Sequence, residues 1–313
     1  MTIVWVTGAR GFIGQHLVRC LADRGQRVSG LGHGAMPPEL TTQEGFVHWI
    51  NGDIDAHNLQ QLRNQSGAPS VIYHLAGGSS VGLSLQTPTE DFRRSVVAIS
   101  ALLEWVRVDS PETSVVLSSS AAVYGNTTIA KIPEDGCYTP YSPYGFHKRA
   151  AELLCECYAH NFGLKIAIVR LFSVYGPGLR KQLLWDLSCR LQAFPDVLHL
   201  HGTGDELRDW LYVSDAVNFL LQAGQEASTK PFILNGATGQ ATCVRNVATL
   251  LCKSWGLSPE IIFSGKQHIG NPFSLVSDTT QSKCLGIEPQ VSLADGIDQY
   301  VNWFRTVVNV SSS

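Results

Sequence analysis

No CxxC pair occurs among the eight cysteines, which stand at positions 20, 137, 155, 157, 189, 243, 252 and 284. That spacing removes zinc knuckles and thioredoxin-type redox motifs, so no metal is expected and reduced thiols of a cytosolic protein are the economical reading. No basic run disturbs a formal charge of −3, which leaves no electrostatic footprint for nucleic acid. The N-terminus lacks a basic n-region and a long apolar stretch, and no apolar run reaches the length of a membrane span. A cytoplasmic protein that meets neither nucleic acid nor membrane is expected. Internal repeats are missing too. With 44% hydrophobic and 16% charged residues the chain is not disordered, and 313 residues suffice for a large α/β domain with a smaller lobe.

What is present is organised around Ile3-Val4-Trp5-Val6-Thr7-Gly8-Ala9-Arg10-Gly11-Phe12-Ile13-Gly14. An apolar run ends in three glycines at i, i+3 and i+6 and then turns amphipathic, as a buried parallel strand does when it hands over to a helix. Gly8 allows a tight turn, Gly11 a close approach of backbone to a ligand, and Gly14 close packing of helix on strand. The arrangement directs helix N-terminal N–H groups at a phosphate. A purely structural turn is the competing reading.

Further strands are expected at 27–32, 46–50, 70–78, 115–117, 165–171 and 231–235, with helices at 55–64, 91–108, 149–161, 215–222, 244–255 and 293–304. Asp53 follows the third strand. It either meets an adenine edge or caps the following helix. The small residues Ala76 and Gly77 end the fourth strand and leave room for a ligand. Three hydroxyls, Ser118, Ser119 and Ser120, end the fifth, more than a turn requires. An irregular loop rich in Gly, Pro, Thr and Asn then delivers Tyr144 and Lys148, which lie on one helix face at i and i+4. A tyrosine acts as acid and base on a sugar hydroxyl or ketone if its phenolate is accessible, and a lysine one turn along supplies positive charge that lowers its pKa. Chance spacing is the alternative, but the glycine turn and the serine cluster accompany it.

In order along the chain, Thr7–Gly14, His74-Leu75-Ala76-Gly77, Ser118–Gly125, Ser142-Pro143-Tyr144-Gly145-Phe146-His147-Lys148, Arg170–Gly178, Arg208–Asp215 and Ser277-Asp278-Thr279-Thr280 resemble the motifs of the extended short-chain dehydrogenase/reductases that act on nucleotide sugars as epimerases, dehydratases and reductases. The resemblance implies an α/β fold: a Rossmann-type doubly wound parallel sheet with a smaller, mixed α/β C-terminal substrate lobe. Residues 1–175 with about 212–235 are then expected to bind the dinucleotide, and 176–211 with 236–313 the nucleotide sugar. It further implies Ser120, Tyr144 and Lys148 as the catalytic trio. The cofactor is expected against Gly8, Arg10, Gly11, Phe12, Ile13, Gly14, Asp53, Ile54, Leu75, Ala76, Gly77, Tyr144, Lys148 and Phe172. The sugar nucleotide is expected against Ser79, Ser120, Ser173, Arg208 and Asp278. Arg208 would clamp the diphosphate with its planar fork, unless it pairs with Asp205 or Asp209. A homodimer built on helices 91–108 and 144–161 is also implied.

Three departures from the family pattern shape the functional expectation. Gly32 stands where relatives carry an acid, Ser173 where they carry Asn, and the segment 267–272 offers no second diphosphate-binding arginine. Loss of the acid lifts repulsion of a 2′-phosphate, and Arg10 stands nearby, so NADP is preferred to NAD. A cofactor exchanged each turnover suits a 4-ketoreductase acting on an NDP-4-keto-6-deoxy sugar, with a 4-epimerase as the alternative and a non-catalytic dinucleotide-binding regulator as a reading of another class. A 4,6-dehydratase is not expected, because Ala121-Ala122 replace the Asp-Glu pair that such enzymes use for proton transfer.

Overall fold

The protein was analysed as a computed structural model that describes residues 2–34, 44–266 and 272–310. The N-terminal half alternates strand and helix: β1 (Ile3–Thr7), α1 (Phe12–Asp23), β2 (Arg27–Gly32), β3 (His48–Asn51), α2 (Ala56–Ser66), β4 (Val71–His74), α3 (Ala98–Asp109), β5 (Ser114–Ser120), α4 (Pro143–Phe162) and β6 (Ile166–Leu171). The strands pair in the order β3-β2-β1-β4-β5-β6, with Phe232–Gly236 as the seventh, and every pairing is parallel. Continuous apolar runs such as IVWVT and IAIVRL suit strands covered on both faces. The chain order reverses between β1 and β4, which is the switch point where such sheets bind ligands at their carboxyl ends. This is a Rossmann-like fold.

Two compact units divide the described residues. The first joins the chain up to Gly125 with Gly136–Leu171 and Val217–Gly236, and holds the parallel sheet. Its core centres on Trp5, which is fully buried, lies 5.1 Å from Trp105 between ring centroids and donates its indole N–H to Ser66 Oγ at 2.9 Å. Asn126–Asp135, Phe172–Ala216 and the chain from Ala237 onward form the second, smaller unit. Its sheet is mixed: Leu207–Tyr212 pairs parallel with Ser173–Tyr175 and Ser274–Leu275 and antiparallel with Ala241–Cys243. No described helix is long and apolar enough to cross a membrane.

Several boundaries differ from the periodicity-based expectation. The third strand begins at His48, since Phe46 instead packs its ring on Trp49. The helix expected over 91–108 is Pro88–Phe92, a π-turn Arg93–Val97 and then α3, so the 3.6-residue period slips in the middle. All three serines lie inside β5, and α4 begins at Pro143, which takes the first helical position. The segment 267–271 and the Ser311–Ser313 tail lie outside the described residues.

Close packing of α1 on β1 generates a stability prediction. A Cβ at Gly14 would stand 2.4 Å from Gly8 O and 2.7 Å from Ala9 O, whereas one at Gly25 meets nothing within 4 Å and suffers only from its φ of +73°. Thermal unfolding should show Gly14→Ala losing on the order of 3 kcal/mol or failing to fold, and Gly25→Ala losing about 1 kcal/mol. Equal losses would show that α1 does not rest on β1 this closely.

Candidate functional site

At the carboxyl end of β1 the chain turns through Gly8, whose φ is +65° and whose N–H donates to Leu31 O at 2.9 Å. A Cβ there would lie 2.6 Å from Ala76 N, so the backbones after β1 and β4 touch. Gly11 is the N-cap of α1 and brings no side chain to cap it, and a Cβ at Gly11 would meet only Gly8 O at 3.1 Å. The first N–H groups of α1, at Phe12 and Ile13, therefore have no side-chain cap and lie beside glycines, an arrangement whose polarity suits a phosphate. Leu75 N donates to Thr7 O, and Gly77, at φ +149°, leaves only 3.4 Å between a hypothetical Cβ and Lys148 Nζ. These residues fit a dinucleotide. Ser79 is exposed, just before the short helix Val81–Gln86.

Asp53 does not cap a helix. Asp55 does, accepting from Asn58 N at 2.8 Å, because it stands at the position where its carboxylate can reach a free N–H of the first turn. Asp53 instead carries Arg93 at 3.1 Å and His33 at 3.0 Å, and Arg93 chiefly holds its carboxyl below the usual carboxylate range. Ile54 beside it is buried. At the end of β2, Asn51 Oδ1 accepts from Gly34 N at 3.0 Å. Arg10 does not stand alone as a phosphate ligand, since its Nε lies 3.7 Å from Glu44 Oε2.

The serine cluster and α4 meet in three contacts. The Ser120 hydroxyl lies near enough to the Tyr144 hydroxyl to pull its pKa down, and Ser120 Oγ accepts from Ala122 N at 3.2 Å, capping the 3-10 turn that follows β5. Ser142 caps α4 by accepting from Gly145 N, and Tyr144 N donates to Ser84 Oγ at 3.1 Å, which places Tyr144 in the first turn. One turn later Lys148 is buried and donates from Nζ to Ser118 O at 2.9 Å. Glu152, a further turn on and fully buried, accepts from Ser119 Oγ at 2.6 Å.

Electrostatics here differ from the expectation that Lys148 depresses the tyrosine. Burial of the hydroxyl raises the Tyr144 pKa above its ordinary value, and the hydrogen bond from Ser120 only partly offsets it. The Lys148 ammonium is 5.8 Å from the Tyr144 ring centroid and is committed to a carbonyl. Burial pulls its own pKa down to about 8, against the opposing charges of Asp91 and Glu152. Sequence reasoning passed over Asp91, which is buried and bonded to His147 Nδ1 at 2.6 Å, and over Glu152. The recurrence of polar residues at 144, 148 and 152, one helical turn apart on an otherwise core-facing stripe, is the signal that marks Glu152.

In the second unit, Phe172 is buried and Ser173 is in register with Trp210 on the neighbouring strand. Arg208 donates from Nη1 to the carbonyls of Leu207 at 2.7 Å and Phe273 at 3.2 Å, and burial lowers its pKa. The expected alternative, a pair with Asp209 or Asp205, is not found among the described residues. Asp209 is fully buried and its carboxylate is taken by Thr238 N and Oγ1, Gly239 N and Ser277 N. Successive strand residues face opposite sides, which separates Arg208 from Asp209. Asp278 accepts from Thr280 N at 2.7 Å.

Comparison with known proteins sets this arrangement in a family. The family model described as NAD dependent epimerase/dehydratase matches residues 4–235. The UDP-glucose 4-epimerase of Mycolicibacterium smegmatis is 31% identical, over 96% of this chain and 97% of its own. A structure of MoeE5 in complex with UDP-glucuronic acid and NAD has 32% identity and a TM-score of 0.86, covering 97% of this chain and 99% of that one. The UDP-glucose 4-epimerase of Thermotoga maritima, solved with UDP-glucose, is 28% identical with a TM-score of 0.88, covering 98% and 99%. These relatives favour the 4-epimerase alternative over the 4-ketoreductase, and they lend no support to NADP, whose case rested on Gly32 and on an Arg10 that in fact lies beside Glu44. The family match runs through all seven strands of the parallel sheet and the relatives align from end to end, so this chain belongs to the NAD dependent epimerase/dehydratase family and is an enzyme of nucleotide-sugar chemistry.

Proposed function

We propose that the chain is an NAD-dependent 4-epimerase of a UDP-linked hexose or hexuronate. The observation that carries this reading is that Ser120 ends β5 beside Tyr144, in the first turn of α4, with Lys148 one turn along the same helix bonded to Ser118 O at 2.9 Å. The first unit binds the dinucleotide at Gly8, Gly11, Gly14 and Gly77, with Asp53 and Ile54 towards adenine. The second binds the sugar nucleotide through Ser173, Asp278 and Arg208, whose guanidinium donates to the carbonyls of Leu207 and Phe273. Bound NAD supplies the acceptor and then the donor of hydride at C4. Tyr144 takes the proton of the C4 hydroxyl through its phenolic oxygen and later returns it, Ser120 orients the C4 oxygen, and Lys148 places positive charge beside the phenolate. Neither Ala121 nor Ala122 can transfer a proton, so elimination of water is not served.

Homodimerisation is part of the same proposal. Val97 and Val108, before and at the end of α3, and Phe146, Leu153 and Phe162 on α4 are exposed apolar residues on the two helices expected to pair with a second copy.

Incubation with UDP-glucose, UDP-galactose and UDP-glucuronate, without added cofactor, should give the C4 epimer with no net change in nicotinamide absorbance. Consumption of NADPH with a UDP-4-keto-6-deoxyhexose, and no epimer, would return the ketoreductase. Tyr144→Phe should keep its melting temperature and lose turnover by on the order of 10² or more; near-normal turnover would remove Tyr144 from the mechanism. Sedimentation should show a dimer that Leu153→Glu dissociates, and a wild-type monomer at micromolar concentration would refute the pairing.

A further inference from the structure

We infer that Ser119, Glu152 and Arg170 are positioning residues that lock the rotation and height of α4 against β5 and β6 and so place Tyr144 and Lys148. This rests on the catalytic reading of that pair. Arg170 and Glu152 are both fully buried and meet in a two-pronged contact, Nε to Oε1 and Nη2 to Oε2, each 2.9 Å. Ser119 Oγ donates to the same carboxylate at 2.6 Å, and Arg149 Nη1 adds a bond to Oε2 at 3.0 Å. Ser119 and Arg170 are register partners on adjacent strands, so the Glu152 carboxylate spans two strands at one level. The far side of Arg170 is held by the hydroxyls of Tyr124 at 2.9 Å and Tyr138 at 3.0 Å, and Tyr124 donates to Asn235 on the edge strand at 2.7 Å.

Stability alone does not account for such a cluster, because well-packed apolar residues of similar volume serve a core as well as a buried ion pair or better. Geometry does account for it. Tyr144, Lys148 and Glu152 are one turn apart, and each meets one of three consecutive serines: Ser120 through its hydroxyl, Ser118 through its carbonyl and Ser119 through its hydroxyl. A helix that slid by one residue would shift by about 1.5 Å and turn by about 100°, breaking all three. Misplacement on that scale is enough to cost on the order of 10²-fold in rate.

Two variants test the inference in the cofactor-loaded enzyme, with kcat counted per bound NAD. Ser119→Ala cuts the strand-to-helix link and leaves the ion pair. Glu152→Gln keeps the shape and removes the charge. Both should leave KM for the nucleotide sugar unchanged; kcat should fall several-fold in the first and about tenfold or more in the second. Glu152→Gln should also move the limb of the kcat–pH profile to lower pH by on the order of half a unit, since loss of the negative charge facing Lys148 favours deprotonation of that ammonium. The charges facing those groups are Asp91 and Glu152 towards Lys148 and Asp91 towards Tyr144, with His147 bonded to Asp91 and His74 buried and neutral nearby. A loss of kcat that only tracks loss of folded, loaded protein, with the limb unmoved, overturns the inference, as does wild-type kcat in both variants. If Glu152→Gln does not fold, Ser119→Ala decides: unchanged kcat overturns, and a several-fold fall at constant KM supports. Tyr144→Phe assayed beside them separates the two readings, because its retention of turnover sinks the catalytic assignment itself.

Discussion

Burying a full positive and a full negative charge in the centre of an α/β sheet is costly unless every polar atom of both is satisfied, and the first unit is arranged around meeting that condition for Glu152 and Arg170. The carboxylate receives Arg170, Ser119 and Arg149, and the guanidinium ends on two tyrosine hydroxyls. The Arg170 guanidinium also lies within about 5 Å of both tyrosine ring centroids, 5.1 Å for Tyr124 and 4.8 Å for Tyr138, and those rings stack with an interplanar angle of 19°. Strand, helix, loop and edge strand are thereby joined at one point. Helix α4 passes that point with its first two turns at the end of β5.

Those two turns lie where burial works on a phenol and an ammonium in opposite directions, raising the pKa of Tyr144 and lowering that of Lys148 to about 8. Both shifts disfavour charge. At neutral pH the phenol is protonated and the lysine still largely charged, so under the proposed function the pair would hold one proton more than the oxidising half of an epimerisation wants and the number its reducing half wants. Under the same proposal, an alcohol bound against Ser120 and Tyr144 would add a hydrogen-bond partner to the oxygen that must ionise, so that the same atoms would serve both directions.

The parallel sheet was legible because its strands are continuous apolar runs ended by Gly or Ser, and Tyr144 and Lys148 because a four-residue spacing is a helix face. Contacts between distant segments were not. Asp53 and Asp55 are both credible caps in one dimension, and only the turn geometry selects Asp55. Arg208 next to Asp209 reads as an ion pair until strand alternation sends their side chains to opposite faces. Ser119 looked like one of three equivalent hydroxyls, although its partner is 33 positions away. The π-turn at Arg93–Val97 has no period to reveal it, since the helix goes on with its apolar stripe displaced.

The largest misreading concerned charge beside the cofactor cradle, and it shows why a single position decides little there. In one dimension Gly32 lifts repulsion of a 2′-phosphate and Arg10 attracts one. In the folded chain Arg10 lies near Glu44, and Asp53 holds His33 and Arg93 at the neighbouring strand end. Arg10 and Arg93 thus each already lie beside a carboxylate. A 2′-phosphate would have to displace one of these carboxylates or sit close to it, at a distance where like charges in a partly desolvated site repel strongly. A ribose hydroxyl asks only for a hydrogen-bond acceptor. An acid missing from the end of β2 can therefore be offset by carboxylates that arrive from elsewhere in the chain.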